Sequence, residues 1–504
     1  MEIAIIKEHL AKIDNRAIFD TWVSSNTVSL TNYFYSLSKD DLLAIEFDQF
    51  YFGSFTNSAV FKEFETAKNY SDPFSTFLQL LAATGERLAQ CGVTATIDHI
   101  QKYLKPSSLT FRLKCISKIK NIDDVKRDYL ESFKKILDWL LEAENFEEEN
   151  YTQRIVDVLV FYFKTAEQSL HARGYLEELS DLKSLFTSPN HIKKYHFLGH
   201  STIQDIVNGS YPESLEIGSS PSSIIYPGPD IANLFTHGVN NVVFSHPATR
   251  GMEILLGYRK STVRGDILDY GKTDFTKPYD NLSVDDKVLL YCYFFMKKHF
   301  FTSKSVYEKT WSKMSKMLSM KSYPAVFIDL GCGPLTSGLA LADLYLSKEG
   351  NPLKINYFGI DIAPAMLSKA AEFAQLDLFD KTSSFTFDTS WNNFSMADFA
   401  GKAGENTHFF INASYLFASS SLDIINLAKF VSNLGKHYKY VFFIFQNPDR
   451  ADRNVKWAEF KKLIAYKEIF KDVERVAYKT NPSSASEPGS EDVSFEILEI
   501  KSKS

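Results

Sequence analysis

A short apolar segment followed by an acid and two glycines is the part of this chain best suited to chemistry. Residues 327–335 read F-I-D-L-G-C-G-P-L, so that Asp329 follows the apolar run and Gly331 and Gly333 come soon after it. The apolar run is typical of a buried parallel strand. Glycine tolerates positive φ and carries no side chain, which lets a ligand lie against the backbone. A helical pattern begins near Thr336, and helix N-termini favour a carboxylate or a phosphate.

The loop resembles the first motif of the class I S-adenosylmethionine-dependent methyltransferases, whose pattern is acid-x-Gly-x-Gly-x-Gly. Asp329, Gly331 and Gly333 match this pattern, and Leu335 stands where the third glycine is expected. Two other interpretations remain open, a glycine turn without a ligand and a dinucleotide-binding loop of the form G-x-G-x-x-G or A. The dinucleotide pattern is disfavoured because Thr336 occupies its last position and an acid precedes the first glycine by two residues.

The ends of the next two predicted strands also carry acids. Ligands of open α/β sheets bind outside the carboxyl ends of the strands. Asp361, in G-I-D-I, follows the second strand, and the resemblance implies that it binds the ribose diol, although a helix N-cap is an alternative. Asp388, in F-D-T-S-W, follows the third strand, and the resemblance implies contact with the adenine amino group. An ordinary turn residue is the alternative for Asp388.

The end of the fourth predicted strand, I-N-A-S-Y-L-F, places Asn412 and Tyr415 near the transferred methyl group. The carbonyl of Asn412 could orient an amine or a hydroxyl, so we predict that Asn412 and Tyr415 are catalytic. No general base is assigned, and no metal site is predicted. The cofactor that the resemblance implies is S-adenosylmethionine, and the cofactor-binding residues that it implies are Asp329, Gly331, Cys332, Gly333, Asp361, Ile362, Asp388 and Asn412.

The order of strand and helix patterns predicts an α/β fold. Five strand–helix units within residues 324–504, followed by two strands without a helix between them, predict a seven-stranded, mostly parallel, doubly wound sheet with an antiparallel edge hairpin. This layout is similar to that of class I methyltransferases. Apolar stripes at helical spacing predict a mainly α-helical N-terminal domain over 1–190. Clusters of Gly, Pro and Ser predict an irregular connecting or lid region with short strands over 191–283. Residues 284–504 then form the methyltransferase domain with its preceding helices.

Composition narrows the class of protein. The chain has 504 residues, which predicts two or three domains, and its net charge of −6 gives no global nucleic-acid signature. Its four cysteines are widely spaced, which predicts neither a disulfide framework nor a zinc site and indicates a reducing, cytoplasmic location. The chain has no apolar run of about 18 residues and no basic, then apolar, N-terminal segment, so neither a membrane span nor a secretory signal is expected.

Local clusters of basic residues bear on the methyl acceptor. The lysines of segment 297–321 are opposed within it by Glu308 alone. The basic residues that precede this segment are Arg250, Arg259, Lys260 and Arg264. Because such side chains bind phosphate, nucleic acid (RNA or DNA) is slightly favoured as the acceptor. A solvated helix face and pairing with acids elsewhere in the chain are the alternatives.

Several functions therefore remain open for this chain. The acceptor could instead be a protein or a small molecule. A catalytically inactive methyltransferase-like binding or scaffold protein, and a dinucleotide-dependent oxidoreductase, are rival functions. The N-terminal helical domain could bind a protein partner or mediate self-association.

Overall fold

The computed structural model describes most of the chain. The described residues are 2–67, 70–93, 95–120, 125–146, 152–210, 223–318, 325–400, 407–419, 421–449, 453–482, 484 and 486–501. The chain forms two compact units. The first contains Met1–Ile224 and Asn481–Gly489, and the second contains Ile225–Thr480 and Ser490–Ser504. These boundaries differ from the predicted ones at residues 190 and 283.

The described part of the first unit is built mainly from α-helices around an aromatic core. The helices are α1 (Ile3–Lys12), α2 (Arg16–Ser36), α3 (Lys39–Ala44), α4 (Phe47–Gln49), α5 (Ala59–Ala67), α6 (Asp72–Ala89), α7 (Ala95–Ile100), α8 (Ser108–Lys120), α9 (Val125–Asn145), α10 (Thr152–Ala172), α11 (Leu176–Thr187), α12 (Pro189–Lys194) and α13 (Ser201–Val207). Phe19, Phe55 and Phe77 are fully buried, and the ring of Phe77 lies 5.4 Å from each of the other two. Burial of such rings is the main force that stabilises helices against one another.

A buried ion-pair cluster lies within the same unit. Arg112 on α8 has no exposed side-chain surface, and its Nε and Nη2 donate to the carboxylate of Glu86 on α6 at 2.8 and 2.9 Å. Nη2 also donates to both oxygens of Glu487 at 2.8 and 2.7 Å, and Nη1 donates to Ser108 Oγ at 2.9 Å. Arg112 therefore ties the segment around Glu487 to the helices of this unit.

The second unit is organised around an eight-stranded sheet. Its strands are β1 (Ile224–Ile225), β4 (Val326–Leu330), β5 (Asn356–Ile360), β6 (Ser384–Asp388), β7 (His408–Ser414), β8 (Tyr440–Pro448), β9 (Tyr466–Tyr478) and β10 (Gly489–Ile500). Their order across the sheet is β1-β9-β10-β8-β7-β4-β5-β6. The pairs β4–β5, β5–β6, β4–β7 and β7–β8 are parallel, and β10 is antiparallel to β8. The fold is thus α/β with a large, mostly parallel sheet. It has eight strands rather than the predicted seven, because Ile224–Ile225 adds a two-residue strand beside β9.

Helices cover both faces of this sheet. They are α14 (Pro229–Asn233), α15 (Asn241–Ser245), α16 (Lys260–Thr262), α17 (Val284–Tyr291), α18 (Lys297–Leu318), α19 (Thr336–Glu349), α20 (Pro364–Phe373), α21 (Met396–Ala400), α22 (Ile424–His437) and α23 (Val455–Leu463). A separate two-stranded ribbon pairs β2 (Ile254–Leu255) with β3 (Tyr258–Arg259). Neighbouring residues Phe327 and Ile328 belong to different cores, because successive side chains of a strand point to opposite faces. Helices α17–α20 contribute to the first core, and α21–α23 contribute to the second.

Within the described residues, no helix combines the length and the apolar character needed to cross a bilayer.

Candidate functional site

The loop between β4 and α19 lies where the strand order reverses. Strand β4 has β5 on one side and β7 on the other, which is the position at which open α/β sheets bind ligands. The amides of Gly331 and Cys332 donate to the carbonyl oxygen of Ile360, at 2.7 and 3.0 Å. Gly331 and Gly333 have φ of 71° and 51°, a region that favours glycine. The predicted glycine turn therefore forms and is held against the end of β5.

Leu335 stands at the position of the third glycine of the motif and adopts a left-handed backbone conformation. It is the residue before α19, and its φ of 65° and ψ of 23° are left-handed. Such a conformation costs a residue with a Cβ about 1–2 kcal/mol. The side chain is fully buried in the core beneath the loop, and its burial offsets this strain. Leu335 therefore adopts a backbone conformation that usually favours glycine, although it carries a side chain.

This conformation predicts an unusual order of stability for variants of Leu335. Leu335→Gly and Leu335→Ala both remove the buried side chain, yet we expect the glycine variant to be more stable by about 1 kcal/mol because of the positive φ. Leu341, fully buried within α19, is the control, where glycine should be less stable than alanine by about 1 kcal/mol. Urea denaturation of the four variants measures both differences. The same order at both positions would contradict the left-handed assignment.

Asp361 joins the glycine turn to the start of α20. Its Oδ2 accepts a hydrogen bond from the Gly333 amide at 3.0 Å, and its Oδ1 accepts one from the Ala363 amide at 2.9 Å. The N-cap residue of α20 is Ala363 rather than Asp361. The two described hydrogen bonds of the Asp361 carboxylate go to Gly333 and Ala363, not to the first-turn amides of this helix. Burial raises the pKa of Asp361, and the two amide hydrogen bonds oppose that rise. Ile362, the next residue, is 71% exposed and presents an apolar side chain beside the carboxylate.

Asp329 is completely buried at the end of β4. It accepts hydrogen bonds from Tyr357 Oη and from Asn412 Nδ2, the latter at 2.7 Å. Burial raises the pKa of Asp329 to about 6, while these two hydrogen bonds hold it down and the charge of Asp361 raises it further. In the structure, Asp329 therefore braces the strand ends below the loop.

The raised pKa makes the stability of the protein depend on pH. An acid with a folded-state pKa of about 6 and an unfolded value of about 4 binds more protons when folded, so its contribution to stability falls as pH rises between those values. Asp329→Asn removes this titration, and Tyr357 and Asn412 can reorient to bond an amide. We expect the variant to gain up to about 3 kcal/mol relative to the natural chain between pH 4 and pH 7. Urea unfolding at several pH values measures the gain, and a constant difference would contradict it.

Asn412, predicted to be both catalytic and cofactor-binding, is fully buried. Its Nδ2 donates to Asp329, and its Oδ1 accepts from Tyr307 Oη at 3.2 Å. These contacts give it a bracing role between β4 and α18. A direct role in orienting the acceptor stays a prediction.

The other predicted cofactor residues lie around the same edge. Asp388 is the last residue of β6 and accepts hydrogen bonds from the Ser390 amide at 3.1 Å and from Asn393 Nδ2 at 2.6 Å, so it stabilises its own turn. The Cys332 side chain points inward, is 3% exposed, and has its pKa raised by burial. Any ligand contact of Cys332 would therefore use its backbone.

Tyr415, the other predicted catalytic residue, lies in a cluster that sequence reasoning missed. Its ring stacks on that of His299, with centroids 4.0 Å apart and planes 27° from parallel. His299 Nδ1 lies 3.0 Å from Tyr291 Oη. In the sequence, Tyr291 belongs to an apolar, aromatic helical stretch, and His299 directly follows two lysines. The sequence signal was a tyrosine and a histidine eight positions apart, ahead of the glycine loop.

Three lysines of α18 pair with acids from elsewhere in the second unit. Lys304 Nζ lies 2.6 Å from Asp343 Oδ2 on α19, and Lys298 Nζ lies 3.4 Å from Glu491 on β10. Lys309 lies within 3.5 Å of two acids of β9. Lys260, ahead of this segment, has no exposed surface. In the sequence these lysines looked unopposed because the acids that pair with them are distant in the chain. Lys321 lies outside the described residues.

Comparison with known proteins gives matches among solved structures alone, since no protein-family model and no curated protein matches the chain. Magnesium protoporphyrin IX methyltransferase from Synechocystis, solved with bound SAH, is 13% identical over 48% of this chain and 100% of that chain, with a TM-score of 0.25. A SAM-dependent methyltransferase from Methanosarcina mazei is 12% identical over 38% and 97%, with a TM-score of 0.24. DszA carbon methyltransferase is 11% identical over 88% and 93%, with a TM-score of 0.27.

All three are methyltransferases, the class that the glycine loop resembles. At such TM-scores this likeness carries no argument about function. The strand order of the chain itself defines its class: an α/β protein with a large, mostly parallel sheet whose order reverses at β4.

Proposed function

We propose that this chain binds S-adenosylmethionine at the ends of β4 and β5 and transfers its methyl group to an acceptor. The observation that carries the proposal is the hydrogen bond from the Gly333 amide to Asp361. It places a carboxylate beside a glycine turn at the point where the strand order reverses, which is the arrangement that the resemblance implies for a bound nucleoside.

The residues of this edge fit the cofactor. A Cβ on Gly333 would have no neighbour within 4 Å, so the turn is open on that side. Each carboxylate oxygen of Asp361 has a lone pair beyond the one that its backbone amide uses, so the group can also accept from a ribose diol. Ile362 offers an exposed apolar surface to the adenine ring, and the N-terminus of α19 favours the carboxylate of the methionine part.

The chain contributes alignment and exclusion of water. When bound, S-adenosylmethionine supplies a methyl group that is already activated by its sulfonium. Asp361 and the turn at Gly331–Gly333 fix the donor end, and Asp329 with Asn412 braces the strand ends beneath it. Such positioning lowers the barrier by fixing the reacting atoms before the reaction begins.

The nature of the acceptor is the second part of the proposal. The sequence slightly favours nucleic acid, but most of the charges behind that preference pair with acids or lie buried. A nucleic-acid complex held by phosphate contacts would weaken steeply with salt. Filter binding of an RNA and a DNA duplex at increasing salt tests this acceptor, and a flat salt dependence would exclude it.

Titration calorimetry with S-adenosylmethionine and with S-adenosylhomocysteine tests the donor. We expect saturable heat with both compounds. An intact fold that gives no heat with either would overturn the proposal. Binding without turnover on any acceptor would support the alternative of an inactive methyltransferase-like scaffold.

A further inference from the structure

Three aromatic side chains meet above the end of β7, in a cluster formed by Tyr291, His299 and Tyr415. His299 Nδ1 and Tyr291 Oη are 3.0 Å apart, and His299 stacks on Tyr415 at 4.0 Å. Tyr415 Oη donates to Thr302 Oγ1 at 3.3 Å, which fixes the far end of the cluster on α18. All three residues are half-buried, so part of the cluster remains accessible.

The cluster lies beside the predicted donor site. Burial raises the pKa of Tyr291, and the charge of Asp361 raises it further, so the phenol lies within the field of that carboxylate. Leu416, directly after Tyr415, has its Cδ1 3.3 Å from where a Cβ on Gly331 would be. The cluster thus extends from the Asp361 side of the glycine turn to the end of β7, where an acceptor would approach.

The surroundings of His299 favour one of its two neutral tautomers. The negative charge of Asp361 favours a Tyr291 hydroxyl proton directed away from His299, an arrangement in which a lone pair of Oη faces the imidazole. In that arrangement Nδ1 carries the proton and donates to Oη, and Nε2 is the unprotonated nitrogen. Among the described residues, no hydrogen bond engages Nε2.

His299 is also kept neutral. Burial lowers the pKa of His299 well below its usual value, and the positive charge of Lys298 lowers it further. Lys298 is held 3.4 Å from Glu491, so its charge is partly offset. Tyr291 and Tyr415 are the other titratable groups that face the ring, and burial raises the pKa of both, so both remain protonated at neutral pH.

We propose that His299 is the catalytic base of this site and that the acceptor is a small, neutral compound that carries a hydroxyl group. This inference rests on the proposed methyl transfer. The acceptor oxygen forms a bond to the methyl carbon, the carbon–sulfur bond breaks, and sulfur keeps the electron pair. The hydroxyl proton moves to Nε2, and the imidazolium then releases it to water. Tyr291 is a positioning residue that sets the tautomer.

The weak basicity of His299 fits a hydroxyl better than an amine. A hydroxyl oxygen that has begun to bond carbon becomes strongly acidic, so even a weakly basic imidazole takes its proton. An amine is protonated at neutral pH and must lose its proton before it can attack, and a weakly basic imidazole cannot remove it. The half-buried aromatic rings of the cluster also offer apolar surface to a compact, uncharged acceptor.

Nitrogen NMR of the imidazoles in the full chain tests the assignment without an acceptor. With ¹⁵N-histidine protein, the His299 signals are identified by their loss in His299→Gln. We expect an Nδ1–H tautomer that stays neutral at pH 6.5 and that shifts on addition of S-adenosylhomocysteine. Tyr291→Phe should increase the Nε2–H population. An Nε2–H tautomer in the natural chain, or His299 signals that S-adenosylhomocysteine does not perturb while calorimetry shows it bound, would overturn the inference.

Turnover separates this inference from the proposed function. Catechol and phenol are the hydroxyl probes, benzylamine is the amine probe, and release of S-adenosylhomocysteine is measured. His299→Gln should bind S-adenosylmethionine as the natural chain does but lose activity by about 100-fold or more. His408→Phe is the matched control, because His408 is also buried and stacked, on Tyr440 at 4.8 Å, but lies at the opposite end of β7.

The possible results separate the role of His299, the class of acceptor and the proposed function. Equal turnover by His299→Gln and the natural chain would overturn the catalytic role, and preference for benzylamine would overturn the acceptor class. If no probe is methylated, the NMR result decides the role of His299. Absence of cofactor binding in the natural chain would instead overturn the proposed function itself.

Discussion

Replacement of Asp361 by alanine should lower the affinity for S-adenosylmethionine by about 100-fold or more, because two charge-assisted hydrogen bonds to a ribose diol together contribute about 3 kcal/mol or more. The same change frees the Gly333 amide, which Asp361 now binds at 3.0 Å, and so also loosens the turn. Titration calorimetry measures the affinity, and circular dichroism confirms that the fold is intact.

Asp423→Ala is the matched control for Asp361→Ala. Asp423 also accepts hydrogen bonds from two backbone amides, those of Ile425 and Asn426 at 3.0 Å, but it does so as the N-cap of α22. Its loss should reduce stability by about 1 kcal/mol and leave the affinity unchanged. Equal affinities of the natural chain and Asp361→Ala for S-adenosylmethionine would contradict binding of the ribose by Asp361. Equal weakening by both variants would show that general loosening, rather than a lost contact, is the cause.

Arg112→Met should destabilise the first unit by about 3–5 kcal/mol, because it leaves the carboxylates of Glu86 and Glu487 buried without their positive partner. Arg112 is fully enclosed, and each of the two acids is at most 4% exposed. Burial already raises the pKa of Glu86 even with Arg112 beside it. Methionine fills a similar volume, so the loss reports charge rather than a cavity. Urea unfolding monitored by circular dichroism gives the free energy.

Arg475→Met is the control for Arg112→Met. The guanidinium of Arg475 binds Asp492 by two hydrogen bonds of 2.7 and 2.8 Å, but this pair is about one-third exposed. A pair in contact with water contributes at most about 1 kcal/mol. A loss for Arg112→Met no larger than that for Arg475→Met would refute the importance of burial. The triple variant Arg112→Met, Glu86→Gln, Glu487→Gln should recover part of the stability, since it removes both unpaired charges.

The sequence alone predicted the parts of the site that depend on local backbone chemistry. The apolar run before Asp329 becomes a buried parallel strand, and the turn at Gly331 and Gly333 takes positive φ. Asp361 lies at the end of the adjacent strand. These features can be predicted from the sequence because the type of each residue limits the backbone conformation that it can adopt. The carboxyl ends of parallel strands also lie at the same edge of the sheet.

The tertiary structure decided which side chains share their environment. Tyr415 contacts Thr302 across 113 positions of sequence, and Tyr307 contacts Asn412 across 105. No local pattern records such pairs, so Asn412 was predicted as an acceptor-facing residue while its contacts are internal. The lysines of α18 were likewise judged without the acids of β9 and β10 that oppose them.

The glycine loop contains one feature that the sequence determined and one that only the tertiary structure decided. Its sequence determined the turn and predicted the donor site, because a left-handed backbone and an open surface favour glycine. Its third position did not follow the pattern, and only the packed core decided that Leu335 could hold the same left-handed conformation. The cluster of Tyr291, His299 and Tyr415 arises from the same physics, since three separate elements must fold together before those rings can meet.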